Sequence, residues 1–270
     1  MIKRKEKRGK SEEQIFSFLI DTHSHIDMPE FSDLDAVIQR AKEFGVEKIV
    51  IPSVDRTSFE KVIEIANSYE GVYCALGIHP SEAYKAKDED FDKITKLAKD
   101  KKVVAIGECG LDYYWDKTFV EKQKEAFLKQ IEIAKALKKP LIVHDREAHK
   151  DTFDLLAANI KDEIPVIMHC FSGSYEFAME CIKKGFYIAI GGVVTFKNAK
   201  KVHEIAAKVP LENLLLETDA PYLTPEPYRG KRNEPAYVKF AAEKIAELRG
   251  IPFEEVADAT TQNARKVFGI

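Results

Sequence analysis

Short apolar segments alternate with longer amphipathic segments along almost the whole chain. The first apolar segment runs into LIDTHSHID at 19 to 27, and the next, EKIVIPSV, occupies 47 to 54. Between them apolar residues recur at the spacing of one helix face, namely Leu34, Val37, Ile38, Ala41 and Phe44. A short, wholly apolar run is typical of a strand that is buried on both faces of a parallel sheet. This stretch therefore predicts a strand, a helix and a second strand.

The same alternation continues to the end of the chain. Six further apolar runs are VYCALGIHP, VVAIGECGLD, PLIVHDR, PVIMHCFSG, FYIAIGG and NLLLETDAP, with helical patterns between them and two helices after the last. Eight strand–helix units in about 250 residues predict an α/β fold of the (β/α)₈ TIM-barrel type, as a single domain over 17–270. The structural alternative is a doubly wound open sheet, which normally has fewer strands. No GxGxxG follows the first strand to support that alternative.

The segment before the barrel has a different composition. Its first ten residues, MIKRKEKRGK, are basic, and no apolar segment follows them as it would in a secretory signal. We expect residues 1–16 to be a flexible basic leader. The alternative is a basic arm that touches nucleic acid.

Charge and cysteine content narrow the class of protein. A net charge of -3 and a pI near 6.2 argue against the broad cationic surface of a high-affinity DNA-binding protein, but permit acidic substrates where metal ions concentrate positive charge. The four cysteines show no CxxC spacing, which predicts a reduced, cytoplasmic protein. No apolar run approaches the roughly 18 residues of a membrane span.

Titratable residues stand at the carboxyl ends of six predicted strands. They are His23, His25, His79, Glu108, His144, His169 and Asp219. Five of the seven histidines belong to this set, whereas the other two, His149 and His203, fall in helical stretches and are expected to be surface or packing residues. In barrel enzymes this rim carries the active site. A single histidine at this rim is more often a hydrogen-bonded polar residue than a metal ligand. The whole set of seven residues, however, predicts a metal site.

Six of these residues are too many ligands for one tetrahedral ion that keeps an open position, so we expect two divalent ions. Imidazoles and carboxylates suit Zn²⁺, Mn²⁺, Fe²⁺, Co²⁺ or Ni²⁺, and accept Mg²⁺ with added waters; Zn, Mn and Mg are favoured here. Cys109 and Cys170 each follow a predicted ligand, so strand alternation predicts that both point away and serve packing.

The expected division of ligands uses Glu108 as the bridge, since a carboxylate has two oxygens. One ion would take His23, His25 and Asp219, and the other His144 and His169. A hydroxide held between the two ions is the expected nucleophile, and Asp219 the expected proton acceptor.

Several motifs carry a family resemblance. DTHSHID, GIHP, GECGLDYYW, VHDREA, HCFSG and ETDAPYLTPEPYRGKRNEP together resemble the TatD-type metal-dependent deoxyribonucleases of the amidohydrolase-like superfamily. The similarity runs from about Phe18 to the carboxyl terminus, and the last motif is the most specific. It implies a (β/α)₈ barrel with two divalent cations that hydrolyses DNA. Many superfamily members bridge their metals with a carboxylated lysine; here Glu108 takes that position, as in the TatD branch.

Residues around the predicted metals suggest how a substrate is held. Arg146 is expected to clamp a phosphate, with a salt bridge inside its loop as the alternative. His79 is assigned to substrate phosphate or the leaving group. Further expected substrate contacts are Arg229 and Arg232 in the loop after the eighth strand, and the aromatic side chains of Tyr113, Tyr114, Trp115 and Tyr222, which would stack on bases or pack within loops.

Three classes of function remain at this point. The first is a two-metal deoxyribonuclease that trims single strands or strand ends as an exonuclease, because a cupped barrel mouth receives a terminus more easily than a continuous duplex. The second is a two-metal amidohydrolase, lactonase or esterase on a small or tRNA-linked substrate. The third is a metal-binding scaffold without turnover. The pattern predicts no membrane partner and leaves the oligomeric state open.

Overall fold

A computed structural model describes residues 18–270 of the chain. The predicted basic leader at 1–16 lies outside the described residues. Eight strands follow one another along the chain: β1 Leu19–Asp21, β2 Val46–Pro52, β3 Val72–Leu76, β4 Val103–Asp112, β5 Leu141–Arg146, β6 Val166–Met168, β7 Tyr187–Ile190 and β8 Leu214–Leu216. Each coincides with one of the predicted apolar runs.

An α-helix separates each pair of consecutive strands, and two α-helices follow the last strand, as predicted. The α-helices are α1 Leu34–Glu43, α2 Phe59–Ser68, α3 Asp88–Leu97, α4 Val120–Leu137, α5 His149–Asn159, α6 Tyr175–Lys183, α7 Lys200–Lys208, α8 Val238–Arg249 and α9 Phe253–Phe268. Four short 3-10 helices lie at Pro80–Lys85, Gly192–Thr195, Leu211–Asn213 and Pro235–Tyr237. Among the described helices, none combines the length and apolar character that crossing a membrane requires.

The eight strands form one parallel sheet in the order β1 to β8. Hydrogen bonds also join its two outer strands, because the N–H of Thr22 donates to the Leu216 carbonyl at 3.0 Å and the N–H of Asp219 donates to the His23 carbonyl at 2.9 Å. The sheet is therefore closed into a barrel, and the predicted (β/α)₈ fold is confirmed.

Two sets of buried side chains stabilise the barrel. Along β2, Ile49 and Ile51 belong to the larger set, which packs under the helices, whereas Val50 belongs to the smaller set. Since neighbouring residues of a strand point to opposite faces, the smaller set fills the barrel interior. Its members from the strands and from the end of α9 include Ile20, Val50, Ala75, Ala105, Ile142, Ile167, Ala189, Leu215, Val267 and Phe268. The carboxyl rim thus lies directly above a closely packed barrel interior.

Candidate metal centre

The carboxyl rim brings imidazoles of β1 into direct contact with a carboxylate of β4. The Nε2 atoms of His23 and His25 lie 3.2 Å apart. The Oε2 atom of Glu108 lies 3.3 Å from His23 Nε2 and 3.7 Å from His25 Nε2. All three side chains are buried. The strand-end pattern of the sequence therefore corresponds to a compact cluster.

Asp219, beyond the end of β8, completes this first group. Its Oδ1 lies 3.9 Å from His23 Nε2 and 3.7 Å from His25 Nε2. Two imidazole nitrogens that face one another at hydrogen-bond distance, with two carboxylate oxygens beside them, offer a set of donors that suits a divalent cation. The Nε2 atoms of His23 and His25 face these carboxylates, whereas the Nδ1 atoms, the other nitrogen of each ring, are buried without a hydrogen-bond partner among residues 18–270. The residues present thus fit a cation at this position.

The second oxygen of Glu108 faces a different group of imidazoles. Its Oε1 lies 2.8 Å from His144 Nδ1, 3.6 Å from His169 Nε2 and 3.7 Å from His79 Nε2. His169 Nε2 is also 3.8 Å from Asp219 Oδ1, so the two groups adjoin. One buried carboxylate therefore stands between two sets of nitrogen donors, which is the geometry that the predicted bridging role requires.

His79 lies closer to this second group than its predicted role as a substrate contact suggested. Its Nε2 is 3.3 Å from His144 Nδ1, and Ser81 holds its Nδ1 from the other side at 2.8 Å. With Glu108 and His144 it forms a group compact enough to hold an ion. His79 stands three residues beyond β3, where strand alternation no longer indicates direction. It is a candidate ligand as well as a candidate substrate contact.

Two further carboxylates hold the outer nitrogens of the imidazoles. Glu217 Oε2 lies 2.8 Å from His169 Nδ1, and Asp112 Oδ2 lies 2.9 Å from His144 Nε2. Carboxylates in this position orient a ligating imidazole and raise its basicity. Sequence reasoning missed both roles. The available signal was their place, four residues after Glu108 and two before Asp219, inside the same motifs.

Asp21 joins the first strand of the barrel to the segment that follows the last strand, next to His23. Its Oδ1 accepts hydrogen bonds from the N–H groups of Thr218 at 2.9 Å and His23 at 3.3 Å, and its Oδ2 accepts from the Thr218 hydroxyl at 2.6 Å. Asp21 is fully buried. Because it links β1 to the segment after β8, it positions His23 relative to Asp219.

Neighbouring groups of the centre differ in their affinity for protons. Burial lowers the pKa of His23 well below its usual value, and the nearby His169 lowers it further. Burial acts the same way on His169, but Glu217 and Glu108 outweigh it and raise its pKa to about 10. Asp112 and Glu108 likewise outweigh burial at His144 and raise its pKa to about 9.

The carboxyl groups show the complementary effect. Burial opposes ionisation of Glu108, yet the surrounding imidazoles, His23 and His169 foremost, hold its pKa well below the usual value. Burial raises the pKa of Asp219 to about 6 despite the same neighbours. The cluster thus attracts positive charge, and a bound cation would displace protons from its imidazoles.

Comparison with known proteins agrees with this geometry. The family model of TatD related DNase matches residues 20–269. The chain belongs to the TatD family. It is 48% identical over 253 residues to the metal-dependent hydrolase YabD of Bacillus subtilis, covering 93% of this chain and 99% of that one. It is 36% identical over 257 residues to the metal-dependent hydrolase YcfH of Escherichia coli, covering 94% and 96%.

A solved structure of the family shares the same architecture. The crystal structure of YjjV, a TatD homologue from Escherichia coli, superposes with a TM-score of 0.90 at 34% identity, covering 95% of this chain and 100% of that one. A TatD family hydrolase from Entamoeba histolytica superposes with a TM-score of 0.82 at 24% identity, covering 93% and 98%, which shows the fold alone. This chain is therefore a metal-dependent hydrolase of the TatD family.

The two cysteines beside ligand candidates of this TatD-family chain behave differently. Cys109 is buried in the core, with its Sγ 3.6 Å from the Ile142 carbonyl, as expected of a packing residue. Cys170 does not point away. β6 ends at Met168, and Cys170 adopts a φ of 44°, so strand alternation does not apply to it. Its Sγ lies within 4.8 Å of ligand atoms of His169 and Asp219, and the prediction for Cys170 was wrong.

Arg146 lies at the end of β5 among exposed aromatic side chains. Its guanidinium carbon is 4.1 Å from the ring centroid of Tyr114 and 5.4 Å from that of Trp115. Within residues 18–270 it forms no ion pair, so the alternative of a salt bridge within its loop finds no partner there. Tyr113, in contrast, is partly buried and donates its hydroxyl to Asp151 Oδ2 at 2.9 Å. A charged group and two open rings remain available to a ligand.

The remaining predicted substrate contacts lie on the loop after β8 and are mostly engaged with the protein. Arg232 donates to Asp33 Oδ1 at 2.7 Å. Arg229 stacks on Phe196, with 3.7 Å between its guanidinium carbon and the ring centroid. Tyr222 is 51% exposed. A substrate role for these three residues stays a prediction. For Arg232 it requires that the guanidinium bind the substrate while it also pairs with Asp33.

Proposed function

We propose that this TatD-family hydrolase cleaves phosphodiester bonds of DNA, acting as an exonuclease on single strands or strand ends. The observation that carries the proposal is the position of Glu108, whose two oxygens face two separate groups of imidazoles. A pair of divalent cations held by these two groups would suit the hydrolysis of a phosphodiester, because it would supply positive charge to stabilise the attacking and leaving oxygens. The family description supports DNA as the substrate.

The expected cofactor is a pair of divalent ions, with Zn, Mn or Mg favoured. His23, His25, Asp219 and Glu108 would hold one ion. Glu108, His144 and His169 would hold the other, with His79 as a further candidate. When bound, such ions act as Lewis acids and lower the pKa of a coordinated water to near neutrality.

Asp219 is the carboxylate best placed to take up a proton during the reaction. Its side chain is 18% exposed, whereas that of Glu108 is only 3% exposed. It therefore faces the open mouth of the barrel, where substrate and water arrive. A proton acceptor must lie within hydrogen-bond reach of the attacking water, and a carboxylate at the mouth meets this requirement.

The side chains around the mouth would hold the substrate at a few points. Arg146 is exposed and lacks a carboxylate partner among the described residues, which suits the binding of a phosphate. Tyr114 and Trp115 are exposed beside it and offer faces on which bases stack. With a net charge of -3, the chain has little excess positive charge for a long duplex. Binding of the end of a DNA strand, through a few contacts, therefore fits this surface best.

The experiment that tests this proposal is a panel of labelled oligonucleotides with each of Zn²⁺, Mn²⁺ and Mg²⁺. Single- and double-stranded DNA and RNA are compared, with internal and end labels to separate exonuclease from endonuclease cleavage. We expect stepwise shortening of single-stranded DNA. Asp219→Asn is the matched control, which should keep much of its metal and lose turnover.

Two results would contradict the proposal. If the metal-loaded protein leaves every oligonucleotide intact but hydrolyses lactones, carboxyl esters or aminoacyl-tRNA, the alternative hydrolase function is correct. If Asp219→Asn retains turnover near that of the wild type, Asp219 is not the proton acceptor.

A further inference from the structure

Asp112 uses its two carboxylate oxygens for two different parts of the molecule. It is the last residue of β4 and is buried. Its Oδ2 lies 2.9 Å from His144 Nε2, at the metal centre. Its Oδ1 accepts hydrogen bonds from the N–H groups of Tyr114 at 2.9 Å and Trp115 at 3.2 Å, in the loop between β4 and α4. One planar carboxylate therefore joins a candidate metal ligand to that loop.

The ring of His144 is engaged on both sides. Its Nδ1 lies 2.8 Å from Glu108 Oε1 and 3.3 Å from His79 Nε2, where we expect the second cation. Its Nε2 faces Asp112. Because the imidazole ring is rigid, a shift of Nδ1 towards an ion moves Nε2 as well, and the carboxylate of Asp112 receives that movement.

The main chain around Asp112 is held in place from two directions. Gln123 of α4 is buried, and its Oε1 accepts from the N–H of Asp112 at 2.9 Å while its Nε2 donates to the Asp112 carbonyl at 3.0 Å. The N–H of Tyr113 donates to the Arg146 carbonyl of β5 at 2.9 Å. The side chain of Asp112 is therefore the part that can respond to His144.

Tyr114 and Trp115 have few other restraints. Within residues 18–270, the bonds to Asp112 Oδ1 are the only hydrogen bonds of these two residues. Tyr114 is 51% exposed and Trp115 is 73% exposed. A cleft of about 70 Å³ beside the loop is lined by Trp115 and, from the segment after β3, by Pro80 and Tyr84. The loop thus has room to change position when its anchor moves.

The position of this loop also affects Arg146. The guanidinium carbon of Arg146 is 4.1 Å from the ring centroid of Tyr114 and 5.4 Å from that of Trp115. Contacts between a guanidinium and aromatic rings at these distances are attractive. A change at Asp112 therefore reaches the exposed cation of the barrel mouth as well as its two rings.

Glu217 makes a similar pair of contacts at His169, but with a different reach. Its Oε2 lies 2.8 Å from His169 Nδ1, and its Oε1 accepts from the N–H of Cys170 at 2.6 Å. Cys170 directly follows His169, so both contacts of Glu217 end inside the metal centre. Asp112, in contrast, extends from the centre to an exposed loop.

We propose that Asp112 couples the second cation position to the loop of Tyr114 and Trp115, so that a cation at His144 orders this loop. Coupling between two sites is reciprocal, so the ordered loop in turn raises the affinity for that cation. Asp112 acts as a positioning residue, because it works through His144 and the loop and not on the reacting atoms. The inference rests on the proposed function only for His144 as a ligand, and it requires no particular substrate.

The test uses Trp115, the only tryptophan of the chain, whose fluorescence reports on this loop alone. Acrylamide quenching is measured on the full chain without metal and with Zn²⁺, a d¹⁰ ion that has no unpaired electrons to quench the indole. We expect the quenching constant of the wild type to fall when zinc binds, because an ordered loop shields the indole. A quenching constant that zinc leaves unchanged would overturn the proposal.

Asp112→Asn separates the two contacts of the carboxylate. The two N–H groups of the loop require the side-chain oxygen as their acceptor, which leaves the NH₂ group facing His144. We expect a wild-type quenching constant without metal, and a zinc affinity at the second position that is lower by about tenfold. At zinc concentrations where elemental analysis shows full occupancy, zinc should no longer change the quenching constant.

Asp116→Asn is the matched control, since Asp116 belongs to the same loop but its Oδ1 accepts from the N–H of Thr118 at 2.7 Å. It should respond to zinc as the wild type does. His144→Ala removes the other end of the link and should lose the response while the first position keeps its ion. Far-UV circular dichroism shows that each variant is folded.

Two results with these variants would overturn the coupling. One is a wild-type response to zinc in Asp112→Asn or in His144→Ala. The other is an equal loss of the response in Asp112→Asn and Asp116→Asn, because the effect would then belong to the loop and not to the link with His144.

These measurements contain no DNA, so they separate this inference from the proposed function. If the wild type responds to zinc, Asp112→Asn does not, and every oligonucleotide stays intact, the coupling is supported and the proposed substrate is wrong. Cleavage of DNA by a chain whose Trp115 is insensitive to zinc would support the substrate and refute the coupling.

Discussion

The two rims of the barrel use polar side chains in opposite ways. At the amino rim such side chains are bonded to the backbone: Asn263 donates to the carbonyls of Leu211 at 2.9 Å and Leu214 at 2.8 Å, and Lys102 donates to the Val72 carbonyl at 2.9 Å. At the carboxyl rim they face one another, as Glu108 and the imidazoles around it do. Polar side chains thus stabilise the fold at one rim and form a candidate binding site at the other.

The distribution of unpartnered atoms sharpens this contrast. Among residues 18–270, buried side-chain atoms with neither a hydrogen-bond nor an ion-pair partner occur in His23, Ser24, His25, Asp27, Asp145 and Thr152. Each of these residues stands near or just after the end of a strand, or in the first turn of a following helix, and so belongs to the carboxyl rim. Native proteins seldom leave such atoms unpaired unless a ligand, water or ion completes them.

Removal of metal is expected to have the largest effect. A chelator should abolish hydrolysis while the far-UV circular dichroism stays that of a folded barrel, because the apolar core closes without the ions. The midpoint of thermal unfolding should fall, since a ligand present at a thousand times its Kd contributes about 4 kcal/mol of stability. Elemental analysis before and after re-addition of metal is the control. Full activity in a preparation free of metal would end the two-metal interpretation.

A comparison of two substitutions tests the division of the centre. Glu108→Ala should lower occupancy at both metal positions, whereas His144→Ala should mainly empty one, because only a bridging group is shared. Metal content per chain, measured by elemental analysis after dialysis, gives the result. Glu212→Ala, at an exposed position before β8, is the control for a lost carboxylate. Crystals of Glu108→Ala with both positions fully occupied would contradict the bridge.

Sequence reasoning predicted the residues whose direction strand geometry determines. His23 and His25 stand two residues apart at the end of β1, so the alternation of side chains indicates one shared direction, and the structure brings both to Glu108. The same reasoning failed at Cys170, where a residue with positive φ follows a short strand. His79 was assigned to the substrate and not to either metal, because it lies beyond β3, where the loop determines its direction.

At the amino rim we expect a substitution to lower the stability of the fold and to leave metal content and activity unchanged. Asn263→Ala leaves two buried carbonyls, those of Leu211 and Leu214, without their donor. We expect the free energy of unfolding in urea to fall by about 1–3 kcal/mol, the cost of an unsatisfied buried group. Metal content and kcat/KM should stay at wild-type values. A loss of metal in this variant, with the fold intact, would mean that the rims are not independent.

The smallest effect is expected from the basic leader. Phe18, the first described residue, accepts a hydrogen bond from Thr261 at 2.7 Å and precedes β1, so the chain enters the barrel at the amino rim, opposite the metal centre. Each phosphate neutralised contributes about -0.7 to the slope of log affinity against log salt for single strands. Arg146, Arg229 and Arg232 provide about two to four such contacts, and we expect a slope shallower than roughly -3.

Deletion of residues 1–10 should therefore leave this slope almost unchanged. Arg146→Ala should remove about one phosphate contact, which makes the slope shallower by about 0.7, and should slow turnover. Both are measured with non-cleavable single strands at several salt concentrations, with the intact chain as reference. If the intact chain shows a steep slope and the chain without residues 1–10 does not, the basic segment is what binds the DNA. The contrast between the rims would then describe where the reaction occurs but not how the strand is held.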